Sequence, residues 1–508
     1  MTPKTSPEEK IGNAGQLRLK FSGAEARFPR DSSSGTDPLE WMLEEEWGKG
    51  IDKEKAVLGV FDTKEENRSM KTKCMVGFIL LVVLSGGAVW AQPAPAPLTL
   101  EESVRIAIEQ NLSLQFAAEG VKGSEFRTKA AWADFLAQWT GEYGYTRPSS
   151  PVAIGAAQVV GFTGGRGTTR NVFDFNTTLN QPLFTGGAIS SNYRLEKLGL
   201  GISKENVEAV KRDIVLATRI GYFNILTTEK FVDVAKQAVK QFEAQLEVSK
   251  AFFEVGLVAK NDVLQAEVRL ANAIQAQVTV ENNAAIARAQ FNILLRRDVN
   301  TPFSVVDILE YKPFPVQFEE SLDEALRQRP EVKVADFSIG QAKEAVKIAQ
   351  SGYYPTISLT GNYDRLSDAA DLHGDLSQDR WTIQGLATFT LFDWGRTYNQ
   401  VGESKVKVSQ AQTSKSQLVE TITLEVKQDY LNMLQAEKNI GVAQKSLESA
   451  EENLRMNEER YKYQVATATD VLDAVVLVAQ TRVNYYSALS NFNIARAQIE
   501  RAMGRMYP

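Results

Sequence analysis

The chain has 508 residues, a formal net charge of −6 and 43% hydrophobic residues, and is long enough to bury a large core. Acidic and basic residues are interspersed, so neither a basic block for nucleic acid nor an acidic disordered tail is present. One cysteine and one histidine argue against a Cys/His metal site, a Cys–His nucleophile and a disulfide framework. Carboxylate chemistry stays open, but we expect no enzymatic activity, no metal and no cofactor.

Residues 70–91 have the organisation of a secretory signal peptide. Lysines at the start precede an apolar run over Cys74–Leu84, and Val89 and Ala91 occupy the −3 and −1 positions of a cleavage site. The apolar run is shorter than the ~20 residues of a membrane-spanning helix. A buried helix or an N-terminal anchor is the alternative. We expect export, with residues 1–69 an upstream translation artefact or a disordered leader.

The sequence after the signal peptide is a tandem repeat with a constant offset. Matching motifs surround three pairs of residues whose numbers all differ by 208: Phe184 and Phe392, Asp262 and Asp470, and Ala287 and Ala495. Because the offset is constant, the segments between these motifs have equal lengths in the two halves. Two equivalent structural units are therefore expected.

Upstream of these motifs the offset is larger. Thr140–Tyr143 matches Thr360–Tyr363 at an offset of 220, and Leu100–Glu102 matches Leu322–Glu324 at 222. The first half should therefore contain about a dozen extra residues, within a Gly-, Ser- and Thr-rich loop over 148–170.

A proline-rich connector separates the two halves. It covers residues 301–320 and contains three prolines. The expected domains are a first repeat over 98–300 and a second over 321–508, each with a helix, two strands and long helices.

Long helices are predicted in both repeats. No proline interrupts residues 183–301 or 356–507, and prolines are excluded from helix interiors. Apolar residues recur there at spacings of three and four, which is typical of amphipathic helices. The predicted helices cover 201–255, 262–297, 403–463 and 470–503. A rod of ~55 residues is roughly 80 Å long, and its apolar seam must pack on other helices as a coiled coil or bundle.

Four segments of about ten residues alternate between apolar and polar side chains, with aromatic residues near their ends. They cover 139–146, 173–180, 357–363 and 381–391. The pattern is typical of outer-membrane β-barrel strands, and a half-buried sheet in a soluble domain is the alternative. Four strands cannot close a barrel of at least about eight, so several chains must share one barrel.

Together these features resemble the TolC-like outer-membrane efflux family, also called outer membrane factors. The resemblance covers about residues 98–503. It rests most specifically on four motifs: Leu98–Val104 leading into Asn111, Gln181–Gly187, Val255–Val263, and Arg460-Tyr461 with Thr469–Asp473.

The resemblance implies a mixed α/β membrane fold with two tandem repeats. A homotrimer would form a long α-helical barrel through the periplasm and a transmembrane β-barrel, with four strands from each chain. The localisation implied is the outer membrane of a Gram-negative bacterium. The implied partners are outer-membrane lipid, a periplasmic adaptor (membrane fusion protein) and, through it, an inner-membrane pump of RND or ABC type. The subunit would be a passive conduit in a tripartite efflux or type I secretion system, gated at its periplasmic end.

The family's acidic pore constriction matches Asp262, Asp470 and Asp473. The alternative for Asp262 and Asp470 is helix capping, because aspartates are favoured in the first turn. Tyr461 matches a tyrosine that latches the closed gate, and its alternative is an ordinary packing aromatic.

The two hairpin tips match the adaptor-docking positions. These are Gly256, Leu257, Val258, Val465 and Ala466. The family's latch arginine would fall at Ala466, and Gln464 replaces the glycine of the second tip. These departures put in doubt the strength of closure and the equivalence of the two adaptor contacts.

A periplasmic coiled-coil adaptor or scaffold without a membrane barrel is the runner-up function. It accounts for the long helices but leaves the duplicated strands unexplained. An enzyme ranks third, because Gly161–Gly167 lacks the Lys-Ser/Thr ending of a phosphate loop and is better interpreted as an external loop. His373, in an Asp-rich loop, is expected to face solvent.

Overall fold

The computed structural model describes residues 97–154 and 168–505. The leader 1–69, the signal peptide 70–91 and the glycine-rich segment Gly161–Gly167 therefore lie outside the described residues. Within the described ranges, no helix has both the length and the apolar character needed to cross a bilayer.

The described residues form eight α-helices and six strands. The helices are α1 Leu100–Gln110, α2 Leu112–Ala133, α3 Ala188–Glu254, α4 Lys260–Leu294, α5 Phe318–Gln328, α6 Pro330–Gln350, α7 Arg396–Lys462 and α8 Ala468–Ala502. The strands are β1 Gln138–Thr146, β2 Val152–Ala153, β3 Thr168–Thr169, β4 Val172–Thr185, β5 Thr356–Ser367 and β6 Gln378–Thr388.

The four long helices repeat with the offset found in the sequence. Helices α3 and α7 have 67 residues each, and α4 and α8 have 35 each. The first and last residues of α7 and α8 follow those of α3 and α4 at an offset of 208, as Ala188 and Arg396 illustrate. At 1.5 Å per residue, α3 and α7 are about 100 Å long.

Helix α3 begins at Ala188 and not near Gly201, where the sequence predicted its start. A Cβ atom on Gly201 would lie 3.1 Å from the ring of Phe337, and one on Gly340 would lie 3.1 Å from Leu198. These glycines permit close packing of α3 on α6 and do not end the helix. The long helices of both halves therefore start earlier than predicted.

The offset upstream of β4 is 218 and not 220 to 222. Helices α1 and α5 both have 11 residues and start at Leu100 and Phe318. Tyr145 pairs with Phe173, and Tyr363 pairs with Trp381, which is the counterpart of Phe173 in the second repeat. The predicted match of Leu100 was therefore wrong by four residues, which is one helical turn, and that of Tyr143 by two residues, which is one period of a strand. Leucine–acid and aromatic motifs recur at those spacings, so the wrong match resembles the right one.

Strands β1, β4, β5 and β6 form one antiparallel sheet in that order. Leu179 pairs with Trp139 on β1 and with Gly361 on β5, and Gly361 pairs with Ile383 on β6. The apolar side chains therefore share one face, on which Ile383 is 70% exposed. The four predicted strands are confirmed in this sheet.

Strand β6 starts and ends three residues earlier than predicted, over Gln378–Thr388. It ends at Thr388, which pairs with Thr356, so Phe389 and Leu391 lie beyond the strand. Pro355 precedes β5 and has no N–H to donate, so the ladder has no partner past this point.

The helices pack side by side in two successive layers. Near the sheet the order is α2, α3, α6, α7, and towards the hairpin tips it is α4, α3, α8, α7. Connector residues cross these helices where Tyr222, which is fully buried, lies in the largest core cluster. The Tyr222 hydroxyl lies 2.9 Å from the carbonyl oxygen of Leu98 and 2.8 Å from that of Val306. On the other side of the connector, the Asn493 amide of the second half donates to Glu310 O at 3.1 Å, so the connector contacts both halves.

Candidate functional site

Both long hairpins turn at their tips with the same backbone geometry. Gly256 and Gln464 both have positive φ, at 78° and 60°, and occupy equivalent positions in the two repeats. The N–H of Leu257 donates to Phe252 O at 2.8 Å, and that of Val465 donates to Arg460 O at 2.8 Å. The second tip thus keeps the left-handed helix end that glycine usually supplies, although its residue is glutamine.

The acidic residues Asp262 and Asp470 occupy equivalent positions with different surroundings. The Asp470 carboxylate accepts hydrogen bonds of 2.8 Å from the backbone N–H and from the hydroxyl of Thr467. The N–H of Asp470 donates in return to the Thr467 hydroxyl at 3.3 Å, which completes a capping box. These bonds hold the pKa of Asp470 below its ordinary value. Asp262 follows Ala259, which has no side-chain acceptor to cap the helix. Both aspartates therefore lie in the first turn of a helix, where the helix dipole favours a negative charge, but only Asp470 takes part in a side-chain cap.

Asp473 forms an ion pair with Arg269 across the two halves. The Arg269 guanidinium donates to Asp473 Oδ1 at 2.7 Å, and Thr469 donates to Gln265 Oε1 at 3.0 Å. Helices α4 and α8 therefore meet near the tips. Arg269 belongs to none of the sequence motifs, because no spacing motif links side chains on two helices from different repeats.

Tyr461 is an internal residue of the tip. It is 3% exposed, and its ring centroid lies 5.5 Å from that of Phe252. Within the described residues, its hydroxyl makes no hydrogen bond. The geometry is that of a packing aromatic between α3 and α7, and Ala466 is half-buried beside the same cluster.

The predicted docking residues lie on the turns between paired helices. Leu257 and Val465 are exposed apolar side chains, and Val258 is half-buried. Above the tips, α3, α4 and α8 border a mainly apolar groove of about 370 Å³, lined by Phe231, Phe242, Val280 and Val476, among others.

The polar face of the sheet carries charged residues. Asp364 lies opposite Asn176, which donates to its carboxylate, and Arg380 lies 3.4 Å from the other carboxylate oxygen. Glu142 pairs in register with Asn176 on the same face. This face is suited to water, and the opposite face is suited to an apolar medium.

Comparisons with known proteins agree with this architecture. The family model described as "Outer membrane efflux protein" matches residues 104–295 and 321–505. Outer membrane efflux protein BepC of Brucella suis is 21% identical over 437 residues, which cover 84% of this chain and 90% of BepC. Outer membrane protein TolC of Escherichia coli is 24% identical over 366 residues, covering 68% of this chain and 72% of TolC.

Solved outer-membrane channels share the fold. The Campylobacter jejuni CmeC channel superposes with a TM-score of 0.69 at 20% identity, covering 82% of this chain and 90% of CmeC. The open state of Neisseria gonorrhoeae MtrE gives a TM-score of 0.66 at 20% identity, covering 80% and 89%. The family model covers both repeats, and the architecture that contains them is that of these channels. This chain therefore belongs to the outer membrane efflux protein family.

Proposed function

We propose that three copies of this chain form a passive efflux conduit in the outer membrane of a Gram-negative bacterium. The observation that carries the proposal is the four-stranded sheet, with one exposed apolar face and two edge strands, β1 and β6, that are unpaired on their outer sides within the described residues. An open edge is not viable in lipid. Strands β1 and β6 run in opposite directions, so β1 of one copy can pair with β6 of the next as an antiparallel ladder.

The helices support the same ring. Helices α2 and α4 lie at the edge of the layer that continues β1, and α7 lies at the edge that continues β6. Both edges carry exposed apolar side chains, including Phe116 on α2, Val278 on α4 and Leu424 on α7. Closing the barrel would also bury these helix edges, which gives a hollow helical sheath below the barrel.

The runner-up function, a periplasmic adaptor without a barrel, accounts less well for the molecule. It assigns no role to the apolar sheet face, and the family is one of outer membrane efflux proteins.

The hairpin tips would receive a periplasmic adaptor linked to an inner-membrane pump of RND or ABC type. Gly256, Leu257, Val258, Val465 and Ala466 form the proposed contact. Exposed Leu257 and Val465 and the apolar groove between α3, α4 and α8 are suited to the apolar side of an adaptor helix. The two tips share one backbone turn but present different side chains there, Gly256 and Gln464, so their two adaptor contacts would differ.

The pore constriction would consist of Asp262, Asp470 and Asp473, with Tyr461 in the gate. A ring of carboxylates favours cations. Arg269 offsets part of that charge, since it pairs with Asp473. The buried packing of Tyr461 supports a role in holding α3 and α7 together when the tip is closed.

Conductance in planar lipid bilayers tests the proposal. The wild-type protein should give discrete, cation-preferring channels, and the double variant D470N/D473N should lower the cation preference. Asparagine keeps a capping oxygen at position 470, so the helix start is preserved. The variant R269Q should raise the cation preference, because it leaves Asp473 uncompensated.

Two failures have different meanings. Absence of any conductance from correctly folded protein would contradict the conduit itself. Normal conductance with an unchanged ion preference in both variants would contradict only the acidic constriction.

A further inference from the structure

Three buried polar side chains lie near the tips, where α3, α7 and α8 converge. Gln245 and Ser249 stand one turn apart on α3, and Tyr461 lies in the last turn of α7. Gln245 is 8% exposed, Ser249 is 0% exposed, and Tyr461 is similarly buried. Among the described residues, no hydrogen-bond partner exists for Gln245 Nε2, Ser249 Oγ or Tyr461 Oη.

Such a cluster is unusual in a folded protein. Burying a polar group without a partner is costly, and native structures pair nearly all such groups with protein or ordered water. The neighbouring side chains on α3 and α8 include Val248, Val471 and Val475, which offer no acceptor or donor. The polar side chains that also line this space, Gln241, Glu458 and Lys462, make no hydrogen bond to these three atoms, which leaves the atoms available to water.

A cavity of suitable size adjoins the cluster. It has a volume of about 180 Å³ and is lined by Gln245 and Tyr461 together with the three valines. A buried water needs only ~10–15 Å³ of such space and two to four polar partners. Exposed Glu458 and Lys462 also line the cavity, so water can enter from solvent.

We propose that this cavity, here named the tip cavity, is a site for ordered water. The amide N–H of Gln245 donates to water, and the hydroxyl of Tyr461 donates to it or accepts from it. The waters thereby connect α3 to α7 through hydrogen bonds that neither helix makes directly. The inference concerns the packing of the tip and holds whether or not the protein conducts ions.

Hydrogen exchange of the full-length protein tests the tip cavity. Tyr461→Phe should make backbone amides of α3 near residues 245–254 exchange about tenfold faster, because the water that binds Gln245 loses a partner inside the protein. The triple variant Q245M/S249A/Y461F removes all three polar groups with little change in volume. Its exchange should return to within about twofold of wild type, since no buried polar group is left unpaired.

Tyr463→Phe is the matched control. Tyr463 lies two residues after Tyr461 and is 77% exposed, so loss of its hydroxyl should leave exchange unchanged. The direction of the change in hydrogen exchange caused by Tyr461→Phe distinguishes a cluster that binds water from one that does not. A dry, unpaired hydroxyl would be relieved by Tyr461→Phe, and slower exchange in that variant would overturn the proposal.

A density map that resolves water provides the second measurement. It should show at least one peak within hydrogen-bond distance of both Tyr461 Oη and Gln245 Nε2. An empty tip cavity at that resolution would overturn the proposal independently of any variant.

Discussion

At the scale of single residues, charge pairing across helices determines the electrostatics of this chain. Arg329 is buried and donates to Glu331 at 3.0 Å and to Glu425 at 2.6 Å, and Arg501 also donates to Glu425 at 2.6 Å. Asp429 lies one turn after Glu425 on α7. Burial, and then the charge of Glu425, raise the pKa of Asp429 from 3.8 to about 6, against the opposing effect of both arginines.

Asp429→Asn should therefore stabilise the protein at neutral pH. A raised pKa means that the folded state favours protonated Asp429, so its contribution is fully present below pH ~4 and is lost as pH rises through about 6. Because Asp429 is only half-buried and partly screened by solvent, the variant should gain about 1–2 kcal/mol at pH 7.5 and almost nothing at pH 4. Thermal unfolding followed by circular dichroism across this range measures the difference.

Glu420→Gln is the control for this prediction. Glu420 is an exposed acid on the same helix, so its substitution should change the unfolding midpoint little at either pH. A gain from Asp429→Asn that is equal at pH 4 and pH 7.5 would contradict the titration of Asp429.

Sequence patterns predicted the residue types of the candidate site but not their pairings. Asp262, Asp470 and Asp473 were found because they lie in recurring motifs. The Arg269–Asp473 pair and the Phe252–Tyr461 contact each join a residue of the first repeat to one of the second. Periodicity within one helix carries no information about which side chain of another helix it meets.

At the scale of elements, proline-free runs and apolar spacing predicted all four long helices and all four strands of the large sheet. The starts of the helices were less predictable. Gly201 looked like a boundary because glycine weakens helices, yet the contact with Phe337 requires it within α3. The reason for glycine at this position becomes visible only when α6 is seen packed on α3.

The two long hairpins differ at the first turn of their second helices. Thr467 caps α8, and Ala259 stands at the equivalent place before α4. Thr467→Ala should destabilise the first turn of α8 by about 1 kcal/mol, and Ala259→Thr should stabilise that of α4 by a similar amount. Hydrogen exchange of the first-turn amides measures both, and each variant is the other's control.

Hydrogen exchange should become faster in Thr467→Ala and slower in Ala259→Thr. If neither substitution changed exchange, capping by residue 467 would have no energetic role and Asp470 would need another explanation.

At the scale of the whole molecule, the sheet has one face for lipid and one for water. Ile383 and Gln384 are neighbours on β6 and point to opposite faces. Ile383→Lys should place a charge in the apolar medium at a cost of about 2–4 kcal/mol near the bilayer centre. We expect it to reduce the amount of assembled, heat-resistant protein in the outer-membrane fraction.

Gln384→Lys is the control on the adjacent residue. It adds the same charge to the polar face and should leave assembly unchanged. Equal loss of assembled protein in both variants would mean that the two faces are not distinguished by lipid and water.

The matched lengths of the hairpins restrict how this molecule can change in size. Helices α3 and α7 both have 67 residues, and their tips meet at Phe252 and Tyr461. Seven extra residues in one arm alone would extend its tip by about 10 Å beyond the other. Each arm is an antiparallel pair of helices, α3 with α4 and α7 with α8. The two arms can therefore grow or shrink only together and by whole heptads, so a change in reach requires four coordinated insertions, one in each long helix.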